Sequence, residues 1–154
     1  MLQFNKILTG LKDFAESEVP LDLLFVAVNE TKADFTNRAF NSETGSKDAK
    51  GKGLGKYSNG YASYRASKGR QIKNVDLELT GSLRRDLKVI RSNDTTISMF
   101  FLSPEEQKKI AYLESNYKTS IFELSETEQN AVFEKSLTLI NTEIKEIIEN
   151  GLTK

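Results

Sequence analysis

Apolar residues recur every three or four positions through most of the first 40 residues. Phe4, Ile7, Leu8, Leu11, Phe14 and Ala15 form the apolar stripe of an amphipathic helix, which we expect to end before Pro20. Pro20 suits a first helical turn, and Leu21, Leu24, Val28, Phe35 and Ala39 continue at helical spacing. The run from Leu23 to Val28 would also fit a strand, but the longer pattern favours a second helix to about Phe40.

The apolar pattern stops between Asn41 and Gly60, where Gly, Ser, Lys and Asn dominate. This composition is typical of a mobile loop or arm. We therefore predict one domain over residues 1–154 with a flexible loop or arm at residues 41–70. Order is expected to return near Ile72, where Val75, Leu77 and Leu79 alternate like a short strand or an extended segment.

A β-hairpin is predicted in the middle of the chain. Thr80-Gly81 is a turn signal, after which apolar residues lead into a strand around Leu87 to Arg91. The segment from Thr95 to Phe101 is rich in β-branched and aromatic residues, and Asn93-Asp94 supplies turn residues between the two strands.

Two helices are predicted after the hairpin, and each begins with a capping signal. Ser103-Pro104-Glu105-Glu106 combines an N-cap Ser, a Pro at the first position and a Glu at the third, and Ser125-Glu126-Thr127-Glu128 repeats the capping box. Val132, Phe133, Leu137, Ile140, Ile144, Ile147 and Ile148 are predicted to line one face of the last helix until Gly151. The sequence thus predicts an α+β fold with N-terminal helices, a small antiparallel β-sheet, a long Gly/Lys-rich loop and a C-terminal amphipathic helix.

The composition excludes several classes of site chemistry. The chain of 154 residues contains no Cys and no His, so it has no disulfide, thiol nucleophile, imidazole ligand or catalytic triad. Clustered carboxylates such as Glu105 and Glu106, or Glu123, Glu126 and Glu128, lie at helix starts, where acidic residues complete caps and favour the helix dipole. We therefore predict no enzyme, no metal site and no cofactor. No apolar run or signal peptide indicates a membrane, so a soluble protein made in the cytoplasm is expected.

The Gly/Lys loop superficially resembles a phosphate-binding loop, but its spacing differs. In Gly51-Lys52-Gly53-Leu54-Gly55-Lys56-Tyr57 the nucleotide-binding pattern would need Gly at position 50 and Ser or Thr at position 57. The dinucleotide pattern fails as well, because Lys56 occupies its third Gly position. The sequence therefore favours a flexible loop over a nucleotide site.

Charge is unevenly distributed, although 22 basic and 22 acidic residues cancel overall. Residues 47–91 contain 12 basic and 4 acidic residues, a net charge of +8, whereas residues 1–46 carry −3 and residues 102–154 carry −4. This polarity suits an anionic partner or head-to-tail contact between copies. Candidate interface or DNA-facing residues are Lys50, Lys52, Lys56, Tyr57, Tyr61, Tyr64, Arg65, Lys68, Arg70, Arg84 and Arg85.

The order of several short motifs resembles a known family. The motifs are Asn37-Arg38-Ala39-Phe40, then Gly53-Leu54-Gly55-Lys56-Tyr57-Ser58, then Lys68-Gly69-Arg70-Gln71, then Asp76-Leu77-Glu78-Leu79-Thr80-Gly81-Ser82-Leu83-Arg84, and finally Ile121-Phe122-Glu123-Leu124-Ser125. Over residues 19–150 the chain resembles the bacteriophage virion morphogenesis, or tail-completion, family. Thr80-Gly81-Ser82-Leu83-Arg84 is the most specific part of the resemblance.

The resemblance implies a small, non-catalytic α+β subunit that assembles as a ring in the neck or upper tail of a virion after synthesis in the host cytoplasm. Its implied partners are further copies of itself, portal or connector and tail proteins, and genomic DNA in the channel, but no membrane. On this hypothesis residues 45–70 would be mobile in the free subunit and would fold on assembly. The alternative is a small nucleic-acid-binding protein that uses the basic 47–91 segment.

Overall fold

The computed structural model describes residues 2–153, with side chains from residue 5 onward. The elements follow the order α1 (Leu2–Glu16), α2 (Val19–Ala39), α3 (Asn59–Ser67), α4 (Ser82–Asp86), β1 (Leu87–Asn93), β2 (Thr96–Phe101), α5 (Pro104–Tyr117) and α6 (Glu126–Thr153). The predicted α+β class is confirmed, because in the described residues helices precede and follow a small two-stranded antiparallel sheet.

Helix α6 packs against both N-terminal helices. Its contact with α1 is close because glycine stands at two crossing points. A Cβ atom added at Gly10 would lie 2.8 Å from Cγ2 of Ile147, and one added at Gly151 would lie 2.6 Å from Cγ1 of Ile7. In the predicted α1 stripe Leu8 is exposed, and the side chain of Phe4 lies outside the described residues.

The predicted β-hairpin is confirmed. Strands β1 and β2 pair in antiparallel register, with Leu87 opposite Phe101 and Arg91 opposite Ile97. Asn93 makes the turn, since its Oδ1 accepts a hydrogen bond of 2.9 Å from the backbone N–H of Thr95. The hairpin runs along α2, where Arg91 pairs with Asp22 and Glu18 near the start of that helix.

The main hydrophobic core lies between the end of α2, the hairpin and the helices that flank it. It consists of the buried residues Phe35, Ala39, Phe40, Leu83, Leu87 and Phe101, with Leu77, Met99, Ile110, Leu113, Phe122 and Leu124 packed against them. The ring of Phe122 lies 5.9 Å from that of Phe40 and 5.4 Å from that of Phe101, measured between centroids. The predicted final motif therefore anchors its segment in this core through an aromatic side chain.

The region predicted as a loop or arm contains a helix and many fixed contacts. Residues Asn59–Ser67 form α3, so the loop prediction is wrong for that stretch. Upstream, Ser46 and Asp48 are buried. Carboxylate oxygens of Asp48 accept hydrogen bonds from the N–H groups of Lys50 and Lys52 and from the hydroxyl of Thr119. These bonds attach the loop to the body of the protein, and its mobility before assembly stays a prediction.

Residues 75–79 were predicted to form a short strand or an extended segment. They do not form a strand. The N–H of Asp76 donates to the hydroxyl of Tyr57, and its carboxylate accepts from the N–H of Glu78. Side chains thus satisfy backbone groups that would otherwise pair with a neighbouring strand. Leu77 takes a left-handed conformation with φ 56°. The short helix α4 that follows was not predicted.

Helix α6 is confirmed, but two of the residues predicted to line one face of it are exposed in its first half. Phe133 is 60% exposed and Leu137 is 39% exposed. The face towards α2 instead carries Lys135, whose ammonium lies 3.9 Å from a carboxylate oxygen of Glu30 on that helix. Two residues along a helix correspond to about 200° of rotation, which turns Phe133 and Leu137 away from α2.

Candidate interaction surface

Asp76 is the centre of a buried polar junction between α3 and the segment that leads to α4. Nη2 of Arg65 lies 2.8 and 2.9 Å from the two carboxylate oxygens of Asp76. The Tyr57 hydroxyl donates to the same carboxylate at 2.8 Å, and Nε2 of Gln71 donates at 2.6 Å. Arg65 is 1% exposed and Asp76 is 2% exposed. We call these four residues the Asp76 junction.

The protonation states within the Asp76 junction are fixed by burial and hydrogen bonding. Burial alone would raise the pKa of Asp76, but hydrogen bonds from Gln71, the Glu78 N–H and Tyr57, together with the charge of Arg65, lower that pKa below its ordinary value. Burial is the main cause of a strongly raised pKa at Tyr57. The carboxylate therefore stays charged and the phenol stays protonated, an arrangement that stabilises structure.

Arg38 is the centre of a second junction, at the end of α2. Its guanidinium makes a two-point pair with Glu128 at 2.8 and 3.1 Å. Its remaining N–H groups donate to the carbonyl oxygens of Lys47, Ile121 and Glu123 at 2.7 to 3.0 Å. Five N–H groups thus tie α2, the Gly/Lys loop and the start of α6 together. We call Arg38 and Glu128 the Arg38 junction.

These junctions contain residues from most of the motifs that carry the family resemblance. Arg38 comes from the first motif, Tyr57 from the second, Gln71 from the third and Asp76 from the fourth. The prediction that Arg65 faces a partner is wrong, because its side chain is buried against Asp76 and over the ring of Tyr57. Tyr57 is half-buried and its hydroxyl is already bonded.

Three of the remaining four tyrosines are exposed, and the fourth, Tyr117, is partly buried. Tyr61 is 41% exposed, Tyr64 is 48% exposed and Tyr112 on α5 is 70% exposed. The ring centroids of Tyr61 and Tyr64 lie 6.0 Å apart, and the ammonium of Lys68 lies 5.7 Å from the centroid of Tyr64. We call Tyr61, Tyr64, Lys68, Tyr112 and Tyr117 the tyrosine surface.

Tyr117 links the two halves of this surface. Burial raises its pKa first, and the hydroxyls of Tyr61 and Tyr112 add to the increase. The ring of Tyr61 also lies 5.3 Å from that of Tyr57, so all five tyrosines of the chain belong to one neighbourhood. Sequence reasoning missed Tyr112 and Tyr117, because they lie about 50 positions from α3 and only folding brings them together.

A basic region adjoins the tyrosine surface along the chain. Residues 49–75 contain seven basic residues and no Asp or Glu. Six of the seven have exposed side chains, the exception being Arg65, and they are Lys50, Lys52, Lys56, Lys68, Arg70 and Lys73. Three of these residues lie on the Gly/Lys loop and three on the segment that follows α3.

Two predicted candidates lie on a different element. Arg84 and Arg85 are exposed on α4. Arg84 is 3.2 Å from a carboxylate oxygen of Glu78, and Arg85 donates to the carbonyl oxygen of Thr80 at 3.0 Å. Both side chains therefore already contact the segment that precedes α4.

A cleft of about 860 Å³ separates the end of α2 from the Gly/Lys loop and the first turn of α6. Its lining includes Asp34, Asn37, Lys47, Lys50, Glu126 and Thr127, together with both members of the Arg38 junction. Among residues 2–153, no three acidic side chains are arranged to hold a metal ion. None of the helices in that range is long and apolar enough to span a membrane.

Comparisons with protein-family models, curated proteins and solved structures found no match to this chain.

Proposed function

We propose that this protein is a structural subunit of a tailed bacteriophage, a ring-forming head–tail connector or tail-completion protein that docks portal or tail proteins at the neck. The proposal begins from the ordered motifs in residues 19–150, which resemble those of the virion morphogenesis family. On this proposal the protein acts by assembling with its partners, and it neither makes nor breaks covalent bonds.

The observation that carries the proposal is the convergence of those motifs. Arg38 of the first motif donates to the carbonyl oxygens of Ile121 and Glu123 in the last motif, 83 and 85 positions away, at 3.0 and 2.7 Å. Motif residues used in this way specify a shape, which is what a docking subunit requires. Their side-chain groups are engaged within the fold, which leaves the tyrosine surface and the neighbouring lysines to meet partners.

The direct test is to measure the copy number of the protein in purified particles by quantitative mass spectrometry, relative to the portal protein. A fixed ratio equivalent to one ring per particle is the expected result. Absence of the protein from mature particles would contradict a neck role.

A second candidate function is nucleic-acid binding. The observation that favours it is the same basic region, which has seven basic residues, no acidic ones and exposed tyrosine rings beside it. Lysines that neutralise phosphates make affinity fall steeply with salt, and aromatic rings stack on unpaired bases. Titration of single-stranded DNA at two salt concentrations tests this function, and undetectable binding at low salt would exclude it.

A further inference from the structure

We propose that the tyrosine surface of one copy binds the exposed apolar stripe at the start of α6 in a second copy. The contact would be heterologous, meaning that two different faces of the same chain meet head to tail. This inference rests on the proposed function, since it identifies the faces through which the ring would form.

The first face is aromatic and basic. The Tyr61, Tyr64 and Tyr112 rings are 41 to 70% exposed, and among the described residues none of their hydroxyls makes a hydrogen bond. Tyrosine supplies a large contact area at low conformational cost and is common among residues that dominate binding energy. Lys68 beside Tyr64 adds positive charge to this face.

The second face is apolar and acidic. Phe133 and Leu137 lie one turn apart on α6 and are 60% and 39% exposed. Helix α6 contains six Glu and two Lys, a net charge of −4. Glu134 is exposed beside the stripe, whereas the carboxylate of Glu128 is buried in an ion pair with Arg38. An exposed Phe next to the Glu134 carboxylate complements a surface of tyrosines that carries the Lys68 ammonium.

The overall charge favours a second copy over a nucleic acid as the occupant. The chain has a net charge of zero and a pI of about 6.4, whereas nucleic-acid-binding domains are commonly strongly basic. The basic region and α6 have opposite charge, so two copies attract each other when these faces meet. Because the two faces differ, each copy retains one free face after pairing, which is the property that extends a chain of subunits and closes a ring.

Two surface variants of the full chain test the proposal. One carries Tyr61→Ser, Tyr64→Ser and Lys68→Glu, and the other carries Phe133→Ser and Leu137→Ser. We expect the wild-type protein to self-associate in sedimentation velocity and native mass spectrometry at high micromolar concentration. Each variant alone should associate at least about tenfold more weakly. A mixture of the two variants should form a dimer that does not grow, because each variant keeps the face that the other lacks.

Two substitutions on α1, away from both faces, serve as controls. Leu8→Ser and Lys12→Glu change an exposed apolar residue and an exposed charge on α1 and should leave association unchanged. Circular dichroism of every variant checks that the fold is retained. A monomeric wild type, variants that associate like the wild type, or a mixture that stays monomeric would each overturn the proposal. Loss of DNA binding in the tyrosine variant with unchanged self-association would overturn it in favour of a nucleic-acid partner.

Different experimental outcomes would reject the proposed interface and the proposed neck role. A head-to-tail dimer from the mixed variants, together with absence of the protein from particles, would support the interface and reject the neck role. Presence in particles at a ring ratio, without self-association through these faces, would reject the interface alone.

Discussion

Asp76 accepts hydrogen bonds from three side chains and one backbone N–H, all inside the protein. Replacing it with Asn leaves the guanidinium of Arg65 buried without a counter-charge. We expect Asp76→Asn to lower the free energy of unfolding by about 3–5 kcal/mol. Urea unfolding followed by circular dichroism measures the change.

The exposed ion pair between Arg84 and Glu78 provides the matched control. The Arg84 side chain is 49% exposed, so Glu78→Gln should cost less than about 1 kcal/mol. Equal losses in the two variants would contradict the structural role assigned to the buried junction.

Acid sensitivity is also set at single residues. Burial would raise the pKa of Asp48, but hydrogen bonds from Thr119 and from the N–H groups of Lys52 and Lys50 lower it below the usual 3.8. A lowered folded-state pKa contributes stability that is complete above the unfolded-state pKa and is lost as pH falls through the folded-state pKa. Asp48→Asn should therefore flatten the decline in unfolding free energy on acidification, measured by urea titrations from neutral to acid pH.

Asp48→Asn retains a carbonyl oxygen for the N–H groups of Lys50 and Lys52, so the loop turn has an acceptor in both proteins. An acid profile identical to that of the wild type would show that Asp48 does not contribute to the pH dependence.

At the scale of elements, the two predicted helix caps differ in the structure. Ser125 and Glu128 form the complete box, in which the Glu128 N–H donates to the Ser125 hydroxyl at 3.2 Å and the Ser125 N–H donates to the Glu128 carboxylate at 2.7 Å. The Ser103 hydroxyl instead donates to the carboxylate of Glu105. The same sequence signal thus gives different hydrogen bonds.

Ser125→Ala should therefore cost about 1 kcal/mol of unfolding free energy, since it removes an N-cap acceptor. Ser103→Ala should cost less, because its hydroxyl caps no backbone N–H. Thermal melts of the two variants, recorded in parallel, compare them directly. A larger loss for Ser103→Ala would be incompatible with the observed caps.

Glycines inside helices provide a test of element packing. A Cβ at Gly151 would lie 2.6 Å from Cγ1 of Ile7, so Gly151→Ala should destabilise the α1–α6 contact by about 1–3 kcal/mol. A Cβ at Gly60, in the first turn of α3, meets nothing within 4 Å. Gly60→Ala should stabilise the protein by roughly 0.5 kcal/mol. Denaturation midpoints of the two variants should shift in opposite directions.

Elements with strong hydrophobic periodicity or characteristic turn residues could be predicted from the sequence. Features that depend on contacts between residues far apart in the chain could not. Asn93-Asp94 identified the hairpin, and Pro20 lay near the start of α2, as the structure confirms. The orientation of α6 depends on its packing against α1 and α2, with Ile147 close to Gly10 and Ile7 close to Gly151, and these partners are more than 130 positions apart. Helix α3 lacks a clear apolar stripe and has Arg65 as its one buried residue, so no hydrophobic signal marked it.

At the scale of the whole molecule, only part of the candidate surface could be predicted from the sequence. The basic residues and Tyr61 and Tyr64 were predicted from composition alone. Tyr117 joins them because the fold brings its hydroxyl close enough for both Tyr61 and Tyr112 to raise its pKa. Arg65 was misassigned because its counter-ion, Asp76, is 11 positions away and no local pattern indicates burial of an arginine.

The Gly/Lys loop is part of the fold as a whole. Removing residues 51–60 would delete Tyr57 and the backbone bonds from Leu54 to Ser46 and from Val75 to Gly55. We expect this deletion to destabilise the protein by several kcal/mol, because it leaves buried polar groups of the Asp76 junction unsatisfied. Hydrogen exchange of the deletion variant should show protection lost well beyond the loop.

Substituting only the exposed lysines of the loop removes its charge without removing the backbone bonds that the fold needs. Replacing Lys50, Lys52 and Lys56 with Ser removes three exposed charges and should change the unfolding free energy by less than about 0.5 kcal/mol at each position. A deletion as stable as this triple variant would contradict the structural role of the loop.

Gly53 is exposed on this loop, opposite Lys47 in a β-bridge, and an added Cβ there would meet nothing within 4 Å. Since the chain contains no cysteine, a Gly53→Cys protein would carry one thiol in a defined and accessible position. A fluorophore attached there would report on the environment of the loop without replacing a side chain of either buried junction. Labelled copies would thus make the approach of a partner visible as it happens, in real time and one molecule at a time.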